Sequence, residues 1–255
     1  MKIHIFKTES EASEFASKIF LDHLNHKKNS VFCFATGRSP IHLYKNFVLN
    51  YQKNLTDWSK VVTFNLDEYV GYNGTEKNSY RKFMNDHLFS KININLENTY
   101  VPNGIGDLEK NCFDFEKNII NHHGIDVLLL GLGVNGHIGF NEPNTPFSSL
   151  THVVKLHEQS LKDHAKHFFN NNINEVPKEA VTMGIKSIMN AKKIVLLAFG
   201  ETKTNILQKL IENEVTKKVP ASVLQLHPDC HVICDQIAAS KLTNTSLYNQ
   251  LHFYN

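Results

Sequence analysis

Short apolar runs recur along this chain, and a longer amphipathic stretch follows most of them. The runs are SVFCFA at residues 30–35, KVVTFN at 60–65, DVLLL at 126–130 and IVLLAF at 194–199. Each is strand-length, and the last two are almost wholly apolar, as strands buried on both faces must be. Residues 1–6 and 231–234 read as further strands. Helical patterns cover residues 9–25, 40–51, 79–89, 108–123 and 202–212. Thr8 or Ser10 caps the first of these, Pro40 sits in the first turn of the second, and Gly124 stops the fourth. Strands alternating with helices imply right-handed crossovers and a mainly parallel sheet covered on both sides. The expected fold is therefore α/β: one doubly wound, Rossmann-like sheet in a single domain over residues 1–255. Between residues 141 and 177 the pattern weakens to loops plus one helix.

Composition narrows the class of partner. The formal charge of the 255 residues is +2, and the lysines fall in scattered pairs, not in a basic stripe. Nucleic acid is thus not the expected partner. No apolar run approaches the roughly 20 residues of a membrane span. The start, MKIHIFKTESEASEF, lacks the apolar core of a signal peptide, so a cytoplasmic location is expected. The tail His227-Pro-Asp-Cys230-His231-Val-Ile-Cys234 holds two cysteines and two histidines. Its spacing fits no common zinc finger, and a strand would turn successive side chains to opposite faces, so no metal is expected.

In a doubly wound sheet, ligands lie beyond the carboxyl ends of the strands. Four strand ends carry unusual residues: Thr36-Gly37-Arg38-Ser39-Pro40, Leu66-Asp67-Glu68-Tyr69, Gly131 to Pro143, and Gly200-Glu201-Thr202-Lys203. The first joins a glycine turn and hydroxyls to a helix N-terminus. That suits an anion, although Ser39 as a simple helix cap explains the same residues. Lys203 adds a point charge that suits a phosphate oxygen. Asp67 and Glu68 are adjacent, so an extended chain turns only one of them to the rim. A partly shielded carboxylate there can act as a general base.

Gly131, Gly133 and Gly136 match G-x-G-x-x-G, but His137, Gly139, Glu142 and Pro143 follow at once. A dinucleotide grip needs a helix at this point, and Gly139, Pro143 and Pro146 oppose a long one. These glycines are read as tight turns and close backbone approach, with no redox cofactor. His137 and Glu142 are near enough for the carboxylate to orient or charge the imidazole.

Together, VTFNLDEYVG, GLGVNGHIGFNEP and VPASVLQLHP, with the ATGRSP and LLAFGETK turns, closely resemble the glucosamine/galactosamine-6-phosphate isomerase family. This is the family of the glucosamine-6-phosphate deaminases, whose fold is shared with the 6-phosphogluconolactonases. The resemblance spans nearly the whole chain. It implies conversion of glucosamine 6-phosphate and water to fructose 6-phosphate and ammonium in amino-sugar catabolism, with no cofactor or metal. By motif, Asp67 would move the proton between C2 and C1. His137 would open the ring with Glu142 assisting, and Asn135 would support the histidine. Thr36, Gly37, Ser39 and Lys203 would hold the phosphate.

Two positions depart from the family pattern. His167, in Lys166-His167-Phe168-Phe169, stands where the resemblance implies a phosphate-site arginine. Arg38 stands where a small residue is usual, and it is a candidate source of the missing guanidinium. Residues 148–155 offer His152 and Val154 where hexameric members carry the cationic residues that bind the activator N-acetylglucosamine 6-phosphate, so no such activation is expected. The chain continues only briefly past Leu247, leaving no room for a long C-terminal extension, and a monomer or small homo-oligomer is expected. The sequence leaves gluco against galacto preference open. Another sugar-phosphate enzyme of this fold, or a non-catalytic sugar-phosphate-binding regulator, is the alternative.

Overall fold

The computed structural model describes residues 1–243, apart from the side chains of Gln159 and His167. Leu247 lies outside the described residues. The first half of the chain runs β1 (Lys2–Phe6), α1 (Glu9–His26), β2 (Val31–Phe34), α2 (Ile41–Gln52), β3 (Val62–Asn65) and β4 (Asp67–Tyr69). It continues with α3 (Tyr80–His87), β5 (Thr99–Tyr100), α4 (Leu108–Asn121) and β6 (Val127–Gly131). The second half adds β7 (His152–Lys155), α5 (Glu158–Phe168), β8 (Glu179–Thr182), α6 (Ile185–Met189), β9 (Lys193–Ala198), α7 (Thr204–Glu212) and β10 (Cys230–Asp235).

Local chemistry sets the helix ends. Thr8 caps α1 by accepting the Glu11 N–H, and the Glu11 carboxylate returns a bond to the Thr8 N–H. This is a complete capping box. Gly124, with φ +82°, donates its N–H to the Ile119 carbonyl and turns the chain out of α4 into β6.

Seven strands form one sheet in the order β1-β10-β9-β6-β2-β3-β5, and every neighbouring pair is parallel. The doubly wound sheet expected from the alternation is therefore present. Its centre is dry: Val127, Leu128, Leu129 and Leu130 of β6 and Ile194, Val195 and Leu196 of β9 are all inaccessible to solvent. From β2 the chain builds outward through β3 to β5, then returns and builds the other way from β6 through β9 to β10. The direction reverses between β2 and β6. At that reversal the connections leave the sheet on opposite sides, and a crevice opens above the carboxyl ends.

A second sheet of three antiparallel strands, β4-β8-β7, joins the first, and the periodicity did not foretell it. Leu66 is the hinge between them. Its N–H donates to the Phe34 carbonyl, and its carbonyl accepts the Met183 N–H at 2.7 Å.

Charges at the amino ends of the strands are spent on structure. Buried Asp126 accepts from Lys27, Lys192 and the Val31 N–H. His231 bridges His4 and Asp229, and Asp229 also pairs with Lys2 and Lys193. The four cysteines are buried free thiols. His227 of the tail motif bonds the Ala191 carbonyl. Among the described residues no group of three or more His, Cys, Asp or Glu side chains forms a metal-ligand cluster, and no helix is long and apolar enough to cross a membrane.

Candidate active site

The four strand ends singled out in the sequence belong to four consecutive strands of the large sheet, β9, β6, β2 and β3. The Gly200–Lys203 turn, the Gly131–Pro143 loop, the Thr36–Ser39 turn and Asp67 therefore share one stretch of the carboxyl rim. The point of reversal lies between the second and the third.

Asp67 and Glu68 part company as the extended chain requires. Glu68 is buried and fully used: it accepts from the Tyr69, Tyr80 and Arg81 N–H groups and from the Ser79 hydroxyl. Two of those donors are the first free N–H groups of α3, so Glu68 anchors a helix N-terminus. Asp67 is 7% exposed and, among the described residues, has no hydrogen-bond donor and no ion-pair partner. Burial, reinforced by the Glu68 charge, pushes its carboxyl up to about 8.

The glycines of the loop after β6 permit close packing. A Cβ on Gly133 would lie 2.3 Å from the His137 ring, so the imidazole rests on bare backbone. Gly139, at φ +56°, would bring a Cβ to 3.0 Å from the Thr182 hydroxyl and 3.5 Å from Asp67 Oδ2. The loop thus passes over Asp67. Gly139 lies two positions after His137, a span of at most about 7 Å. The Phe140 N–H donates to Thr182 Oγ1 at 3.0 Å, and Asn141 donates to the Ile138 and Met183 carbonyls. The loop is bolted to the small sheet that holds Asp67.

His137 Nδ1 lies 3.6 Å from Glu142 Oε2. Asn135 braces both partners. Its Oδ1 accepts the His137 N–H at 3.2 Å, and its Nδ2 donates to Glu142 Oε2 at 2.7 Å. The Ser160 hydroxyl donates to the other Glu142 oxygen. Burial opposes the Glu142 charge, but His137, Ser160 and Asn135 together outweigh it and hold the carboxyl at about 2. Glu142 is a fixed anion beside the imidazole.

Across the rim, α2 begins at Ile41 with Pro40 as its cap and no side-chain capping bond. Ser39 is therefore not spent on capping. Among the described residues neither its hydroxyl nor that of Thr36 has a hydrogen-bond partner. Arg38 is exposed in the same turn. Lys203 is half-buried; desolvation lowers its pKa, and attraction to Asp163 opposes the shift. The side chain of His167 lies outside the described residues.

Helix α5 supplies the groups that the sequence did not reveal. Ser160 bonds Glu142, Asp163 faces the Lys203 charge, and His164 bonds the Tyr69 hydroxyl. No local signal marked them. They sit 18 or more residues beyond Glu142, in the segment where the periodicity fails.

A family model described as "Glucosamine-6-phosphate isomerases/6-phosphogluconolactonase" matches residues 7–232. The chain belongs to this family. Its relatives within the family include a glucosamine-6-phosphate deaminase of Clostridium novyi (strain NT), 47% identical over 95% of this chain and 100% of the relative. Another, with the same description, is from Lachnoclostridium phytofermentans, 48% identical over 92% of this chain and 99% of its own. A solved monomeric glucosamine-6-phosphate deaminase superposes with a TM-score of 0.92 at 39% identity, covering 94% of this chain and 100% of that one. The 6-phosphogluconolactonase of Trypanosoma cruzi superposes at 0.75 over 95% of this chain and 97% of its own. At 19% identity, that second likeness speaks for the fold alone.

Proposed function

We propose that this chain is a glucosamine-6-phosphate deaminase, converting glucosamine 6-phosphate and water to fructose 6-phosphate and ammonium. The observation that carries the reading is the placement of four motif-bearing strand ends side by side on one rim, in a chain whose full-length relatives bear that name.

The geometry suggests the division of labour. Ring opening needs a proton delivered to the ring oxygen and another removed from the anomeric hydroxyl. His137 is suited to both, because Glu142 stays anionic and stabilises the imidazolium. Asn135 fixes the pair. Aldose–ketose isomerisation then moves a proton from C2 to C1 through an enediol-type intermediate. Asp67, as a carboxylate under the loop, is the base for that transfer. Its high proton affinity brings it close to the working pH, where a general base is most effective.

Thr36, Gly37, Ser39 and Lys203 hold the phosphate, with free hydroxyls and a helix N-terminus on one side and an ammonium on the other. Arg38 and His167 are the proposed substitutes for the family's phosphate-site arginine. The phosphate is remote binding energy, used to fix the sugar over Asp67. The protein acts on a small sugar phosphate in the cytoplasm, as a single-domain monomer or small homo-oligomer.

The test is direct. The chain is incubated with glucosamine 6-phosphate, and ammonium and fructose 6-phosphate are assayed, with Asp67→Asn as control. Equal release of both products, lost in the variant, is expected. Binding without turnover, or turnover of the galacto epimer alone, overturns the reading.

A further inference from the structure

Asp67 is more than nine-tenths buried and, among the described residues, has no hydrogen-bond or ion-pair partner, whereas the other acids buried at this rim are paired. Glu142 takes bonds from Asn135 and Ser160 and lies beside His137. Glu68 takes four bonds. Asp235 accepts from the Gly200 and Ala238 N–H groups. Among the described residues, those that interact electrostatically with Asp67 are Glu68 and Tyr69 on its own strand, Cys33 from β2 and Tyr80 from α3, and Thr182 of β8 and Gly139 and Asn141 of the loop lie beside it. None of them is a cation. The Asn141 amide at this point of the loop is spent on two backbone carbonyls, and the Thr182 hydroxyl accepts the Phe140 N–H. A buried carboxylate left without donor or counter-charge is costly, and an arriving ligand that supplies both is strongly favoured.

Resting on the reading above, we propose that Asp67 is also the receptor for the substrate's amino group. The ammonium at C2 of the sugar then supplies the positive charge that the protein withholds from this carboxylate. In the empty site the acid carries its proton near neutrality. Docking of the ammonium favours the carboxylate, and the displaced proton leaves to solvent. The amino sugar thereby generates the base that acts on its own C2–H. A sugar phosphate with a hydroxyl at C2 binds the same phosphate and ring contacts but leaves Asp67 protonated and inert. Selectivity for amino over neutral sugars is thus located at one residue.

Two open-chain ligands that differ only at C2 and cannot turn over test this: 2-amino-2-deoxyglucitol 6-phosphate and glucitol 6-phosphate. Wild type is expected to bind the amino compound at least about tenfold more tightly, as a hydrogen bond to a charged group allows. Asp67→Asn is expected to bring the two within about twofold. Calorimetry in buffers of different ionisation heat is expected to read release of close to one proton per site for the amino ligand alone at pH 7 in wild type, and none in the variant. Equal affinities in wild type, or a preference that survives Asp67→Asn, overturns the proposal. Turnover of glucosamine 6-phosphate, assayed in parallel, separates the two failures. A working deaminase with no amine preference sinks the receptor and leaves the activity standing.

Discussion

Asp67 and Thr182 face each other across the β4–β8 ladder, and the Thr182 hydroxyl accepts the Phe140 N–H at 3.0 Å. One threonine therefore connects the strand of the proposed base to the loop of the proposed ring-opening histidine. The small antiparallel sheet has a purpose in this: it holds two rim segments at a fixed separation that neither the β3 end nor the β6 end sets alone. Thr182→Val keeps the shape and removes the acceptor, leaving a buried N–H unsatisfied at a cost of about 1–3 kcal/mol. The expected outcome is a kcat about tenfold or more below wild type with a small change in KM, and recovery in Thr182→Ser. Steady-state kinetics on the three proteins decide it. A Thr182→Val enzyme with wild-type kcat would show that the loop holds its position without this bond.

The Glu142 carboxylate is expected to titrate far below the working range, at about 2, because His137, Ser160 and Asn135 favour its charged form against the burial that opposes it. Removing a donor to the anion raises its pKa. Ser160→Ala is therefore expected to move the acid limb of the kcat/KM profile to higher pH and to lower kcat a few-fold. Glu142→Gln removes the anion altogether and is expected to cost about a hundredfold or more in kcat, the usual scale for a lost partner in acid–base catalysis. An unshifted acid limb in Ser160→Ala removes α5 from the catalytic account.

Asp67 also has a thermodynamic signature. Its folded pKa, about 8, lies above the ordinary carboxylate value. Between pH 4 and pH 8 the unfolded chain has released this proton and the folded one retains it. The unfolded state binds fewer protons, so this group makes stability fall as pH rises through that window. Asp67→Asn mimics the protonated form and escapes the penalty. The variant is expected to gain in Tm over wild type as pH goes from 5 to 9, by about 2–4 °C for each kcal/mol recovered in a chain of this size. Parallel Tm curves across that range would mean that Asp67 ionises normally in the folded protein.

Six of the seven strands of the large sheet were legible as short apolar runs, most of them followed by a helical pattern, whereas β5, two residues long, carries no such run. The Asp67/Glu68 split was legible from strand geometry alone. The small sheet was not. β4 is three residues long and follows β3 after a single residue, so the two read as one run. β7 is a half-exposed edge strand of four residues with weak alternation. Its partner β8 lies 24 residues further on, a pairing that no local period encodes. The site divides along the same line. Asp67, Asn135, His137 and Glu142 stand in short segments whose residue types are unusual for turns. Ser160, Asp163 and His164 are ordinary helix-surface residues until α5 folds back over the rim.

The turn after β2 carries the last prediction. Arg38 is exposed, with the Thr36 and Ser39 hydroxyls on either side of it, and Lys203 is half-buried two strands away across the crevice. An ammonium already partly desolvated keeps more of its attraction to a phosphate than a guanidinium in water, because solvent screens the exposed charge. Lys203→Ala is thus expected to raise KM for glucosamine 6-phosphate by more than tenfold. Arg38→Ala is expected to raise it about threefold to tenfold, with kcat little changed, since uniform binding of the phosphate is lost from ground and transition states alike. The Arg38 contribution is also expected to shrink as salt rises from 50 to 500 mM, and that of Lys203 to persist. A KM unaffected by Arg38→Ala ends the idea that this arginine replaces the family's guanidinium. The remaining candidate would then be His167, tested by the same measurement.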